Sequence, residues 1–330
     1  MTNKAEDFVF HPQAVSRLAI KQIKKEQEKK PYLKLGIPQI DDHFVMMRAG
    51  KLIGVLADTS HGKSSFMTFI ARQMIQQFDD PKDIGVYVTW EDTVEDFGIT
   101  DISALSAVPI SSVYNGEVTE TQFANMLKSA TQRATSPLWV LGHSETRRTS
   151  RPRLTMTDVI LGLEYIIHEQ KRNIRFVMFD YLQLINLADI RERDTRLRYS
   201  EAVNKMKDMA QGYGIISICA TQVKRQISER KWKMPQIHDA METSRFEHAC
   251  DGMIGLWYVH RTEELGKLIY EPKGRGEVPV YCTEDLMLYE TLKQKKGKAM
   301  ELRALDFIPE YNAFKSYNTG NQYRQKKNGK

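Results

Sequence analysis

The chain has 330 residues, of which 41% are hydrophobic and 27% charged, with a formal net charge of +6. Its three cysteines (Cys219, Cys250, Cys282) stand far apart with no CxxC pair, which argues against a disulfide scaffold or cysteine zinc site and suits a reducing cytoplasm. No apolar run approaches the roughly 20 residues that cross a bilayer, and the opening MTNKAEDFVF lacks a signal-peptide layout, so membrane and small secreted classes are excluded.

Residues 12–30 predict a helix. Pro12 suits a first turn, and Ala14, Val15, Leu18, Ala19 and Ile23 form an apolar stripe that gives way to KKEQEKK and Pro31. A lone amphipathic helix ahead of a domain either packs on that domain or docks on a neighbouring subunit. From about Leu33, apolar runs at 52–57, 84–89, 138–141, 174–179, 214–220 and 253–259 alternate with helical patterns, clearest at 64–77, 119–134, 157–170 and 199–213. Such alternation predicts one α/β domain with a mainly parallel sheet and helices on both faces. Two late runs, 267–272 and 278–283, flank a Gly-rich turn and predict a hairpin. From Asn312 onward there are five basic residues, no acid, and no Ile, Leu or Val, which predicts a disordered basic tail over 312–330. The body is then nearly neutral, and global charge alone does not indicate nucleic acid.

The strongest local signal is ADTSHGKS (57–64), which follows an apolar strand and opens a helix. It fits the phosphate-loop pattern GxxxxGK[ST] except that Ala57 holds the first position. Gly62 permits close backbone approach, and the amides of Asp58, Thr59, Ser60, His61, Gly62, Lys63, Ser64 and Ser65 can cradle phosphate at a helix N-terminus. Lys63 is expected to reach the β- and γ-phosphates and Ser64 to ligate Mg²⁺, with His61 a mere spacer. The second element is FVMFD (176–180), four apolar residues ending in Asp180, the acid expected to hold a Mg²⁺-bound water at the end of a strand neighbouring the phosphate loop. Hydrolysis needs a carboxylate to polarise water. In VYVTWED, Glu91 and Asp92 end the second strand, expected beside the phosphate-loop strand, and Glu91 is the candidate base.

AxxxxGKS followed by FDYLQLI (179–185) resembles the DnaB-type replicative helicases, whose ATPase domain has a RecA-like fold. GIPQIDDHF (36–44), WED (90–92), VYNGEVTETQF (113–123), TQVKRQ (221–226), KMPQIHDAMETSRFEHACD (233–251) and KGRGEVP (273–279) resemble family stretches in the same order, covering about 12–290. The resemblance implies a domain at 33–311 that hydrolyses ATP with Mg²⁺. Glu91 becomes the catalytic glutamate, Asp180 the Walker B acid and Gln222 a γ-phosphate sensor. Lys273 and Arg275 would reach into the next subunit's site as arginine finger and partner. It also implies single-stranded DNA as partner, a hexameric ring of like subunits held by the 12–28 linker helix within an N-terminal arm (1–32), other replication proteins, and residence in the cytoplasm of a bacterium or phage-infected host.

Two departures qualify that picture. The chain begins at the linker, without the family's N-terminal helical domain, so contacts to primase or a loader are not carried over; a compact helicase domain of this kind suits a phage or mobile element. In the DNA-contacting loop, Met241-Glu242-Thr243-Ser244 stands where the family has Arg-Glu-Ser-Gly, which removes a phosphate-binding arginine. Arg245, Lys231 and Lys233 are candidate substitutes. The loops holding Arg191, Arg193, Lys224 and Arg225 are candidate pore-lining contacts, with Trp232 a candidate base-stacking platform. ETRRTSRPR (145–153) adds arginines of open role. Unwinding of duplex DNA and ATP-driven assembly without unwinding both remain as readings.

Overall fold

The computed structural model describes residues 9–28, 33–147, 153–192, 194–241, 244–270, 279–296 and 302–316. The helices are α1 (Pro12–Glu28), α2 (Pro38–Asp41), α3 (Lys63–Ile75), α4 (Val94–Ser106), α5 (Ile110–Tyr114), α6 (Glu120–Ala134), α7 (Met156–His168), α8 (Thr195–Tyr213) and α9 (Ser244–Ala249). The strands are β1 (Lys51–Ala57), β2 (Asp83–Thr89), β3 (Leu138–Leu141), β4 (Asn173–Asp180), β5 (Ile216–Gln222), β6 (Gly252–Tyr258), β7 (Leu268–Tyr270), β8 (Pro279–Tyr281), β9 (Leu286–Gln294), β10 (Arg303–Ile308) and β11 (Ala313–Ser316).

Among the described residues nine strands form one sheet in the order β11-β10-β9-β6-β1-β5-β4-β2-β3, and β7 pairs with β8 as a separate antiparallel ribbon. The pairs from β6 through β1, β5, β4 and β2 to β3 are all parallel. That explains the near-continuous apolar runs, because a parallel strand is covered on both faces. On one face α3 lays Phe66, Ile70 and Met74 against Val55, Tyr87 and Met178. On the other, α7 and α8 bring Val159, Leu163, Val203 and Met206 against Leu56, Val88 and Val177. Buried Asp101 binds Arg72 at 2.8 Å and Arg133 at 2.7 Å, tying α4 and α6 to the phosphate-loop helix.

Three expectations change. Neither acid-bearing strand adjoins β1: β5 lies between β1 and β4, and β2 lies beyond β4. Strand order is set by which crossovers skip a position, and no local pattern records that. The expected tail begins with order, since Ala313–Ser316 pairs antiparallel with β10, Phe307 lying opposite Phe314; 317–330 lies outside the described residues. Trp232 is no exposed platform. It is buried and meets Trp257 edge-on at 5.0 Å, in a small core with Met234, Val280 and Leu288. The first helix is described over Pro12–Glu28, residues 29 and 30 lying outside the described residues, and it exposes Val15, Leu18, Ile20 and Ile23 by half or more.

Candidate nucleotide site

All parallel strands release their chains at one sheet edge, and there the register brings the chemistry together. Ala57, the last residue of β1, pairs with Gln222, the last of β5, while Thr89 of β2 pairs with Asp180 of β4. The loop Asp58–Gly62 leaves β1 and enters α3 through Gly62, whose φ of +71° is left-handed. A side chain there would also meet the Phe307 ring at 2.9 Å, so glycine is required twice. An open cleft of about 530 Å³ results, lined by Thr59, Lys63, Ser64, Glu91, Tyr181 and Gln222 among others.

Lys63 is buried, with its Nζ 3.5 Å from the centre of the Tyr181 ring. Burial pushes its pKa down, against the pull of the Asp180 and Glu91 charges. Asp180 is buried; its Oδ2 accepts a 2.7 Å hydrogen bond from the Tyr87 hydroxyl, while Oδ1 has no hydrogen-bond partner among the described residues. Glu91 and Asp92 face the cleft beyond β2. Burial first, then the Asp180 charge, raises the Glu91 carboxyl, and Lys63 opposes the rise. Asp92 is pushed up to about 6 by burial and then by Glu91. The Gln222 backbone N–H donates to Gln183 Oε1 at 3.1 Å. Gln183, within DYLQL, also donates to Thr221 at 2.7 Å and so fixes the end of β5.

Several site residues were missed or misread from sequence. Tyr258, Arg261, Phe307 and Pro309 also line the cleft. The last two come from the antiparallel extension, which no motif marks. Ser65, expected to bind nucleotide, lines the cleft as well, and its hydroxyl donates to Asn312 Oδ1 at 2.6 Å. His61 is no spacer: it is buried, and its Nδ1 accepts from the Tyr258 backbone N–H at 3.1 Å. Burial lowers its pKa from 6.5 to about 4. The folded state thus binds fewer protons than the unfolded chain between those values, so stability is lost as pH falls through that window, by up to ~3 kcal/mol. Asp92 opposes this, because a raised carboxyl favours the folded state on acidification. Melting curves between pH 7 and 4.5 are therefore expected to show a smaller acid loss for His61→Gln than for the wild type.

A cation fits the donor set. The unpartnered, buried Asp180 Oδ1 and the half-buried Ser64 hydroxyl are hard oxygen donors of the kind Mg²⁺ takes. Among the described residues no group of three His, Cys, Asp or Glu could hold a metal.

The expected DNA-contact residues divide. Lys224, Arg225 and Ser244 line a second open cavity of about 1040 Å³ next to the end of β5, with Arg196, Glu229 and Glu247. Lys224 donates to the His238 carbonyl at 2.7 Å, and Arg245 donates to Asn204 at 2.7 Å. Lys233 is held by buried Glu263. Arg191 and Lys231 are exposed. Arg193, Glu242, Lys273 and Arg275 lie outside the described residues, as do Arg148 and Arg151 of the arginine loop. That loop's first turn is fastened by Glu95, which accepts from the Ser144 hydroxyl at 2.5 Å and from the Glu145 N–H at 3.2 Å.

The model of the family described as "DnaB-like helicase C terminal domain" matches residues 33–316. The chain belongs to that family. Curated relatives include the replicative DNA helicase DnaB of Leifsonia xyli, 22% identical over 77% of this chain and 53% of the relative. That of Helicobacter pylori strain J99 is also 22% identical, over 77% and 51%. The chain spans about half the length of the curated relatives it matches. Among solved structures, one described as an ATPase domain superposes with a TM-score of 0.74 at 15% identity, covering 93% of this chain and all of that one. A DnaB-like replicative helicase, described with its interactions with primase, gives 0.73 at 16% identity, covering 92% of this chain and 66% of that one. Both support the RecA-like fold. Among the described residues no helix of this DnaB-like domain is long and apolar enough to cross a membrane.

Proposed function

We propose that this chain is a ring-forming ATPase that translocates on single-stranded DNA and unwinds duplex DNA during replication. The observation that carries the reading is the convergence of Lys63, Ser64, Glu91 and Gln222 on one cleft, with buried Asp180 at the end of β4 beside Thr89, in a DnaB-like domain. ATP, bound with Mg²⁺, is the substrate: water attacks the γ-phosphorus, Glu91 accepts the water's proton, and the bond to the β-phosphate oxygen breaks. Mg²⁺ supplies charge neutralisation at the phosphate oxygens and would be held by Ser64 and, through its water, by Asp180. Lys63 stabilises the same oxygens. Gln222 stands where a change at the γ-phosphate passes directly into the 223–231 segment that borders the larger cavity. A hexamer is the expected assembly, the bare apolar face of α1 docking on the next subunit's domain, and replication proteins are the further partners.

One observation favours the alternative of an assembly factor that hydrolyses ATP without unwinding. Of the side chains expected to touch DNA, Trp232 is buried and Lys233 is paired. Strand displacement on a forked duplex separates the two. The helicase reading expects ATP-dependent release of the displaced strand together with turnover stimulated by single strands. Stimulated turnover without displacement would establish the alternative, and turnover indifferent to DNA would overturn the helicase reading in favour of a protein-binding assembly factor.

A further inference from the structure

Tyr87, on β2, is buried beneath the cleft against Phe97, with ring centres 4.8 Å apart, and its hydroxyl donates to Asp180 Oδ2 at 2.7 Å. The bond ties β2 to the acid at the end of β4. It closes off one carboxylate oxygen and leaves Oδ1 without a partner among the described residues.

We propose that Tyr87 is a positioning residue for the cation: it fixes the Asp180 carboxylate with a single free acceptor. This rests on the nucleotide-site reading above and deepens it. The chemistry follows from the demands of the ion. Mg²⁺ tolerates little departure from octahedral geometry and keeps several waters, so a carboxylate that can rotate, or offer both oxygens, serves it poorly. A phenol at 2.7 Å removes both freedoms. Burial strengthens the restraint, since an unpaired Oδ2 has no solvent to turn to.

The test is the Mg²⁺ dependence of binding of a fluorescent, non-hydrolysable ATP analogue to the full chain and to Tyr87→Phe, each titrated with Mg²⁺ and measured once in EDTA. Phenylalanine keeps the ring and its packing, and a melting curve reports whether the fold is retained. The half-saturating Mg²⁺ concentration is expected to rise about tenfold, with affinity in EDTA unchanged. An unchanged Mg²⁺ titration in folded Tyr87→Phe would overturn the role, as would equal losses with and without Mg²⁺, which mark a merely structural tyrosine. If the wild type binds the analogue in neither condition, the nucleotide-site reading falls and this role with it.

Discussion

Glu91→Gln is expected to lower ATP turnover by about 10³-fold while leaving nucleotide affinity near the wild-type value. The substitution keeps size and hydrogen-bonding capacity and removes only the ability to take a proton. Three carboxylates stand at this edge, and their surroundings separate their roles. Asp180 is buried with one oxygen occupied by Tyr87, so it is a holder of position rather than a mobile base. Asp92 is fastened through its backbone, its N–H donating to Thr89 Oγ1 at 3.1 Å while its carbonyl accepts from that hydroxyl at 2.9 Å. Glu91 faces the cleft with its carboxyl raised towards neutrality by burial and by Asp180, which makes it a better proton acceptor. Steady-state turnover paired with equilibrium binding checks this. Asp92→Asn serves as the comparison and is expected to keep most of the activity. If Asp92→Asn abolishes turnover and Glu91→Gln does not, the base has been assigned to the wrong neighbour.

How much of this site was legible in the sequence depended on the range of the interaction involved. ADTSHGKS, FVMFD and WED are local patterns whose meaning survives in a short window, and the fold brings all three to one edge. That Asp180 and Glu91 sit on strands separated from β1 by β5 was not legible, because order in a parallel sheet follows from packing of crossovers. His61 illustrates the same limit. Its partner is a backbone amide 197 positions away on β6, and nothing near residue 61 announces it. Tyr87 looked like one more apolar position in VYVTW until β4 placed a carboxylate beside its hydroxyl. The strands β9 to β11 escaped notice because LMLYETLKQ and RALDFI mix charged residues into short apolar runs, as strands of an antiparallel extension often do. Through that extension come Phe307 and Pro309, the apolar wall of the cleft. The helix at 94–106 did carry a readable signal, Thr93 capping the Asp96 N–H, but its apolar face is short and interrupted by Asp101.

The second large effect concerns a residue outside the described structure. Arg275→Ala is expected to cut turnover by about 10³-fold or more, as removal of an arginine finger does. The reading assigns that arginine to the neighbouring subunit's site, and this makes a prediction that loss of activity alone does not. β7 and β8 bracket the 271–278 segment, rooted by buried Ile269 and Val280 in the core around Trp257, and a melting curve of Arg275→Ala reports whether that core is kept. Glu91→Gln and Arg275→Ala are each nearly inactive alone, but mixed in equal amounts they complement if the arginine acts across the interface. Where an Arg275→Ala subunit meets a finger from a Glu91→Gln neighbour, glutamate and arginine are both present. Random mixing in a head-to-tail ring makes about a quarter of sites complete. Turnover in the mixture is then expected to exceed that of either parent by more than tenfold if the sites fire independently. An arginine acting within its own subunit leaves every site in every mixture defective, and activity stays at the parental floor. Mixing under conditions that permit subunit exchange, followed by a turnover measurement, thus tests the catalytic assignment and the ring together, because complementation requires both.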